Sequence, residues 1–144
     1  HPCKELIWAV RPEPETTGCN VNWNNFTNAE DNNEIKDNLI TTAKLQLNGN
    51  DRFAERDGKY FSLVQPYQHH NNIPVNQGIN VYSFALKPEE HQPSGSLNMS
   101  RIDTAVLDLQ YDSGTTADKQ VSIFAVNYNV LRILSGMGGI AYSN

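Results

Sequence analysis

Apolar residues occur along the chain in short runs that end at Pro, Gly or Asn, and several of these runs alternate with polar residues. The clearest alternation covers residues 42–48, where the apolar residues occupy odd positions and Lys44 and Gln46 lie between them. Asn48-Gly49 ends the run. A period of two that ends at Asn-Gly predicts a half-buried strand followed by a tight turn.

Four further segments have the composition of strands. Residues 6–10 are apolar and are followed by two prolines, which cannot extend a hydrogen-bonded ladder. Residues 79–86 are apolar on both faces from Val81 onward, which is typical of a core strand in a sandwich. Residues 102–111 alternate in polarity, and residues 121–134 form the longest run rich in Val, Ile, Phe and Tyr. We therefore predict strands in these segments.

The helical signal is confined to one place. Asp51 can cap a short helix that Asp57-Gly58 interrupts, and residues 60–64 fit either a helix or a strand. The sequence thus allows one short helix near residues 51–64. Residues 16–38 hold few apolar side chains and predict a long surface loop, with one short pairing near residues 21–23.

The end of the chain predicts a hairpin. A turn at residues 136–139 would lead into residues 140–142, and the backbone freedom of Gly138 and Gly139 accounts for these glycines. They do not form a phosphate cradle, because no Lys and no helix follow them. Strands joined by loops of varied length, without an internal repeat, predict an all-β sandwich.

Length and charge limit the function. The 144 residues suit a single domain, and a net charge of −5 provides no basic field for phosphates or anionic lipid, which argues against direct binding of nucleic acid. No run approaches the roughly 18 apolar residues of a membrane-spanning helix, so we expect no membrane insertion. The chain runs from His1 almost directly into an apolar segment, so we expect it to be the later part of something longer.

Cys3 and Cys19 are the only cysteines, so they could form at most one disulfide bond. Small secreted scaffolds that depend on disulfides are usually rich in cysteine, whereas thiols in the cytosol stay reduced. Free, structural thiols are therefore the favoured prediction, and a single disulfide is the alternative.

Side chains that could bind metal or catalyse a reaction are scattered. His69 and His70 would point to opposite faces of an extended chain, and His91 lies across two turns, whereas a metal site needs converging ligands. Residues 31–37 resemble a calcium loop but lack its glycine, and Ile35 stands where an oxygen ligand is needed. No catalytic triad follows from the spacing. The sequence predicts no catalytic, metal or cofactor site, and it argues against an enzyme.

Two other features concern surface residues. Asn25 and Asn98 each begin an Asn-x-Ser/Thr acceptor sequence and are candidate N-glycosylation sites. Arg101 and Asp103 are two residues apart, so they would share a face of a strand. We predict that they fix this strand as a pair, with a salt bridge between subunits as the alternative.

Three runs carry a resemblance to a known family. They are residues 45–70, residues 79–103 and residues 127–144. The specific part is the ordered combination of Phe84-Ala85-Leu86, the turn Gln92-Pro93-Ser94-Gly95, Asn98 and Ser100-Arg101-Ile102. Over nearly its whole length the chain resembles the C-terminal part of the major capsid protein of large nucleocytoplasmic DNA viruses, such as chlorella viruses, iridoviruses and mimivirus-like giant viruses.

The resemblance implies a double jelly-roll subunit, three copies of which form a pseudo-hexagonal capsomer of an icosahedral virion shell assembled in the host cytoplasm. Neighbouring capsomers and minor capsid proteins would be its further partners. Residues 1–144 would be the later strands of the second jelly roll, without the first jelly roll or the opening strands of the second. A partial sandwich exposes strand edges and an apolar face, so further polypeptide should lie beside them.

The same resemblance assigns roles to single residues. Strands at residues 83–86 and 121–134, with Phe84 and Leu86, would belong to the core. Loops at residues 16–38 and 87–97 would face outward or contact neighbouring subunits. The other residues expected to have a core or structural role are Pro93, Gly95, Arg101, Asp103, Gly138 and Gly139.

Two other classes of protein remain as alternatives. A carbohydrate-binding jelly-roll module would use exposed aromatic platforms, and Trp23 in the Asn-rich loop is the feature that favours it. A cupin-type metalloenzyme is disfavoured, because it would need a His-x-His spacing with a downstream carboxylate.

Overall fold

A computed structural model describes residues 1–12, 24–28, 37–75, 77–112 and 118–142. Strands dominate these residues, as the all-β prediction requires. They are β1 (Pro2–Pro12), β2 (Ile40–Leu47), β3 (Asn50–Asp51), β4 (Arg56–Asp57), β5 (Ile79–Ser83), β6 (Leu97–Asn98), β7 (Ala105–Tyr111), β8 (Lys119–Asn127), β9 (Leu131–Leu134) and β10 (Met137–Ile140).

The first sheet is built around β1. Antiparallel β5 pairs with it so that Trp8 lies opposite Asn80, and antiparallel β8 pairs with it so that Trp8 lies opposite Ile123. Short β6 pairs with the start of the same strand. β1 begins at Pro2 and ends at Pro12, so it is longer than the strand predicted at residues 6–10. Each proline lies at an end of the strand, where a missing N–H is tolerated.

The second sheet is built around β2, which pairs with β7, β3 and β4. Asn48 and Gly49 have φ angles of 51° and 78°, the left-handed values of a type I′ hairpin turn. The predicted strand and turn are confirmed. The Asn48 side-chain oxygen also accepts hydrogen bonds from the N–H groups of Asp103 and Thr104, which attaches the segment before β7 to this turn.

One apolar core lies between the sheets. Trp8, with 1% of its surface exposed, packs against Phe61 with 5.3 Å between ring centroids. Phe53 lies 4.7 Å from the ring of Tyr82. The buried members of this core are Cys3, Leu6, Trp8, Val10, Leu39, Ile40, Ala43, Leu45, Phe61 and Tyr82. Large side chains buried in this way provide most of the free energy that holds the two sheets together.

The helical region lies later than predicted. A π-helical turn at Tyr60–Val64 continues into α1 (Gln65–His69), whereas Asp51 belongs to β3. Just before the π-helical turn, the Asp57 carboxylate accepts a hydrogen bond from the Lys59 N–H at 2.8 Å. The choice between helix and strand at residues 60–64 is thereby settled as helix. No helix among the described residues is long and apolar enough to cross a membrane.

The last predicted run is divided into separate strands. Residues 121–134 do not form one strand, because β8 ends at Asn127 and β9 begins at Leu131. The hairpin of β9 and β10 turns at Ser135 and Gly136, which have φ angles of 53° and 78°. The terminal hairpin is therefore confirmed, but its turn lies earlier than predicted, and Gly138 and Gly139 are within β10.

Candidate functional surface

The predicted core positions after β5 differ in burial. Phe84 is half-buried and its ring meets Tyr82 edge to face at 5.2 Å, whereas Leu86 is 72% exposed. Leu86 therefore lies outside the core formed by the described residues, contrary to the prediction. The reason is local, because the Ser83 hydroxyl donates to the Ala85 carbonyl and accepts from the Ala85 N–H. This turn ends the strand at Ser83.

The turn at residues 92–95 lies against this same segment. Gly95 has a φ angle of 134°, and a Cβ there would lie 3.0 Å from the Phe84 carbonyl oxygen. A glycine suits this position because both its conformation and the close approach disfavour a side chain. Pro93 is exposed.

Arg101 and Asp103 do not form the predicted pair on a strand. Arg101 ends a 3-10 helix at Met99–Arg101, so the alternation on which the pairing depends is absent. No ion pair joins the two side chains in the part of the chain that the structure describes. Hydrogen bonds from the backbone to Asn48 hold this segment instead.

Both candidate glycosylation residues fold into local turns. The Asn98 side-chain oxygen accepts from the Ser100 N–H at 3.2 Å, and the residue is exposed. The Asn25 side-chain oxygen accepts from the N–H and the hydroxyl of Thr27, which is buried. Modification of either residue stays a prediction.

The histidines bind separate partners. His69 Nδ1 lies 2.9 Å from the Leu86 carbonyl oxygen, while His70 Nε2 donates to the Glu5 carboxylate at 2.7 Å. Glu5 is only 6% exposed, so this contact satisfies a buried acceptor and connects the end of α1 to β1. No cluster of three or more His, Cys, Asp or Glu residues suited to a metal is found among the described residues.

Cys3 is a buried free thiol that donates to the Glu5 carbonyl oxygen at 3.3 Å. Desolvation by burial raises the pKa of this thiol above its ordinary value, which keeps it protonated and unreactive. The described residues do not include Cys19, Trp23 or residues 31–36 of the calcium-like loop. What the sequence predicts for them therefore stays a prediction.

The most unusual surface is at β8. Residues opposite each other in an antiparallel pair share a face, so Ile123 and Val121 lie on the core face with Trp8 and Val10. Yet Ile123 is 54% exposed, and Phe124 on the opposite face is 61% exposed. The prediction that residues 121–134 are core is therefore wrong within this chain, although the sequence of β8 is that of a strand buried on both faces.

Each sheet also ends in an unpaired edge. Among the described residues, β8 pairs only with β1 and β7 pairs only with β2. Leu107 and Leu109 of β7 pair with core residues of β2 but are only half-buried. These two strand edges, each with an apolar inner face, leave the sandwich with an open end that is suited to binding further strands.

The fold places the chain among viral double jelly-roll capsid proteins. The structure is similar to that of the PBCV-1 virus capsid, with a TM-score of 0.79 and 34% sequence identity over 100% of this chain and 44% of that chain. The Faustovirus major capsid protein shares the fold, with a TM-score of 0.68 and 14% identity over 87% of this chain and 29% of that chain.

Sequence comparisons identify the family. A family model described as large eukaryotic DNA virus major capsid protein matches residues 1–139. The chain is 48% identical to the major capsid protein of Pyramimonas orientalis virus, over 100% of this chain and 37% of that protein. It is 63% identical to the major capsid protein of Chrysochromulina ericina virus, over 75% of this chain and 19% of that protein. The chain belongs to the major capsid protein family of large eukaryotic DNA viruses, and it spans well under half the length of these relatives.

Proposed function

We propose that the chain is part of a structural subunit of a virus shell and acts by packing rather than by catalysis. The observation that carries this proposal is the likeness to the PBCV-1 capsid over the whole chain, at a level of identity that goes beyond shared fold. In the assembled particle, the rigid sheets would set the geometry while loops would make contacts with neighbouring subunits. The site of action would be the virion.

The proposed assembly is a homotrimer that forms a pseudo-hexagonal capsomer. Capsomers would pack against one another and against minor capsid proteins in an icosahedral shell, and assembly would take place in the host cytoplasm. Closed symmetry allows many weak contacts to act together, so no single contact needs to be strong. The exposed segment around residues 87–97 is a candidate for these contacts.

We test this function with a capsid protein that contains residues 1–144 and has the length of the relatives. We expect purified protein to form trimers and, when concentrated, shells or curved sheets visible by electron microscopy. Mass photometry at several concentrations would give the size of the basic unit. A protein that remained monomeric at every concentration and formed no lattice would contradict the proposal.

The proposed domain position is the later part of the second jelly roll. The open edges of β7 and β8 support it. Among the described residues each of these strands is the last in its sheet, at a position where a complete sandwich would have a further strand. Two strands from elsewhere in the same polypeptide would pair with these edges and cover Val121, Ile123, Leu107 and Leu109. The exposed inner faces would then become part of a normal core.

Residues 1–144 produced alone should therefore be unstable or prone to aggregate. We expect aggregation or a broad, weakly cooperative thermal transition, because the open end of the sandwich exposes apolar faces and unpaired edges. Size-exclusion chromatography with light scattering, followed by calorimetry, provides the measurement. A monodisperse monomer with one sharp transition would show that the sandwich needs no further strands.

A further inference from the structure

The hairpin of β9 and β10 has a shape fixed by its own hydrogen bonds. The Asn129 side-chain oxygen accepts from the N–H groups of Val130 and Tyr142, and its amide nitrogen donates to the Tyr142 carbonyl at 2.8 Å. The Ala141 N–H donates to the Val130 carbonyl. These bonds close the base of the hairpin and set its geometry before any partner is present.

One face of this hairpin is wholly apolar. Ile133 lies opposite Gly138 and Leu131 lies opposite Ile140, so these four residues share a face. Leu131, Ile133 and Ile140 are 69%, 70% and 60% exposed. A Cβ built on Gly138 would meet no atom within 4 Å. We call these four residues the hairpin face.

The opposite face has a different character. It contains Arg132 and Gly139 together with Leu134 and Met137. A two-stranded hairpin is at best marginally stable in water, and it needs a third strand or a packing partner on its apolar side. The hairpin face is the side that offers only aliphatic side chains and glycine, so it is the side on which a partner is required.

The most economical partner is polypeptide of the same subunit. The chain covers only 19% and 37% of the length of two relatives, so most of such a protein lies outside residues 1–144. The hairpin face has no charged or polar side chain, whereas the interfaces of subunits that fold before they associate are, taken whole, only about as apolar as the rest of the surface. A subunit that exposed it until assembly would tend to aggregate. Glycine within a strand suits close approach of another backbone.

We propose that the hairpin face packs, within one subunit, against a segment of the same capsid protein that lies outside residues 1–144. Gly138 provides the space for that segment's backbone, and the three aliphatic side chains surround it. This inference rests on the proposed function only in that the chain belongs to a longer capsid subunit. The hairpin then connects two parts of one subunit rather than two subunits.

Photocrosslinking in the longer capsid protein tests this contact. The photoreactive residue p-benzoylphenylalanine replaces Ile133, and a control protein carries it at Asn50, an exposed position in β3. Subunits of normal and heavy isotopic mass are mixed before assembly. We expect crosslinks from position 133 to residues outside 1–144, in peptides of a single isotopic mass and well above the level at position 50.

Three results would overturn the proposal. Crosslinks that join light to heavy peptides would identify a second copy as the partner. Crosslinks confined to residues 1–144 would show that the hairpin folds back on the described domain. A yield at position 133 no greater than at position 50 would show that the face is open to solvent.

Substitution gives a second and independent measurement. We expect Ile133→Asp to lower the yield of soluble subunit several-fold, whereas Arg132→Asp on the opposite face should leave it nearly unchanged. Normal yields of soluble Ile133→Asp subunit would contradict burial within the subunit. Lattice formation by the unsubstituted protein is scored separately by electron microscopy, so failure of the shell function is distinguished from failure of the hairpin contact.

Discussion

Replacing Gly78 with alanine should destabilise the capsid subunit by about 3 kcal/mol or more, close to the upper range for inserting atoms into a packed region. A Cβ on Gly78 would lie 1.8 Å from the Phe26 carbonyl oxygen and 2.4 Å from its carbon. Both are backbone atoms, so no side-chain rotation can relieve the clash. Thermal and denaturant unfolding of the longer capsid protein would measure the loss.

Gly139→Ala is the matched control for this substitution. A Cβ at Gly139 would meet no atom within 4 Å, and the residue lies on the hairpin side opposite Gly138. The unfolding free energy of the Gly139→Ala variant should stay within about 0.5 kcal/mol of the value for the parent protein. Equal stability of the Gly78 and Gly139 variants would mean that residues 24–28 do not lie against Gly78 in the subunit.

Replacing Asn80 with aspartate should cost about 4 kcal/mol, because it would place a carboxylate in a buried site made for an amide. Asn80 is 0% exposed, and its amide nitrogen donates to the Gly78 carbonyl and to the Asn38 side-chain oxygen. Its own oxygen accepts from the Asn38 amide at 2.6 Å. Aspartate would keep the oxygen that accepts from the Asn38 amide. Its second oxygen would replace the amide nitrogen and face the Gly78 carbonyl oxygen and the Asn38 side-chain oxygen, neither of which can donate a hydrogen bond.

The pH dependence provides a distinctive signature of this variant. Burial without a positive partner would raise the folded-state pKa of the new carboxyl above its unfolded value of about 3.9. The folded state would then bind the proton more tightly, so stability is retained at low pH and lost as pH rises through the folded pKa. The deficit should be smaller near about pH 5 than near about pH 8.

Asn50→Asp serves as the control, because the same change is made on the exposed surface of β3. It should change the unfolding free energy by about 0.5 kcal/mol or less at either pH. An Asn80→Asp deficit that did not vary with pH would show that the new carboxylate reaches solvent, and the buried amide pair would then be incorrectly placed.

Sequence patterns correctly predicted the elements that are determined by residues close together in the chain. The alternation before Asn48-Gly49 determines both β2 and its turn, because period and turn chemistry lie within ten residues or so. The end of β5 depends on the hydroxyl of Ser83 bonding back to Ala85. Such a bond competes with the strand ladder, and composition alone favoured continuation through Leu86.

Other features depend on residues far apart in the sequence. The amide pair of Asn38 and Asn80 and the contact of Glu5 with His70 join segments that no periodic pattern connects. Asn is common in this chain and ordinarily indicates a turn, so its use as a buried polar pair gave no signal. The exposure of β8 depends on which strands are present beside it, and this cannot be inferred from its own apolar sequence.

The central place of β1 also has a consequence for the order of events during synthesis. Of the ten described strands, β1 leaves the ribosome first, yet Trp8 pairs with Asn80 and Ile123, which are made much later. At ordinary elongation rates the wait is on the order of ten seconds, and contacts so distant in sequence form slowly. During that interval β1 lacks these two partner strands, so the indole of Trp8 stays exposed in the nascent chain until residues far along the sequence are made.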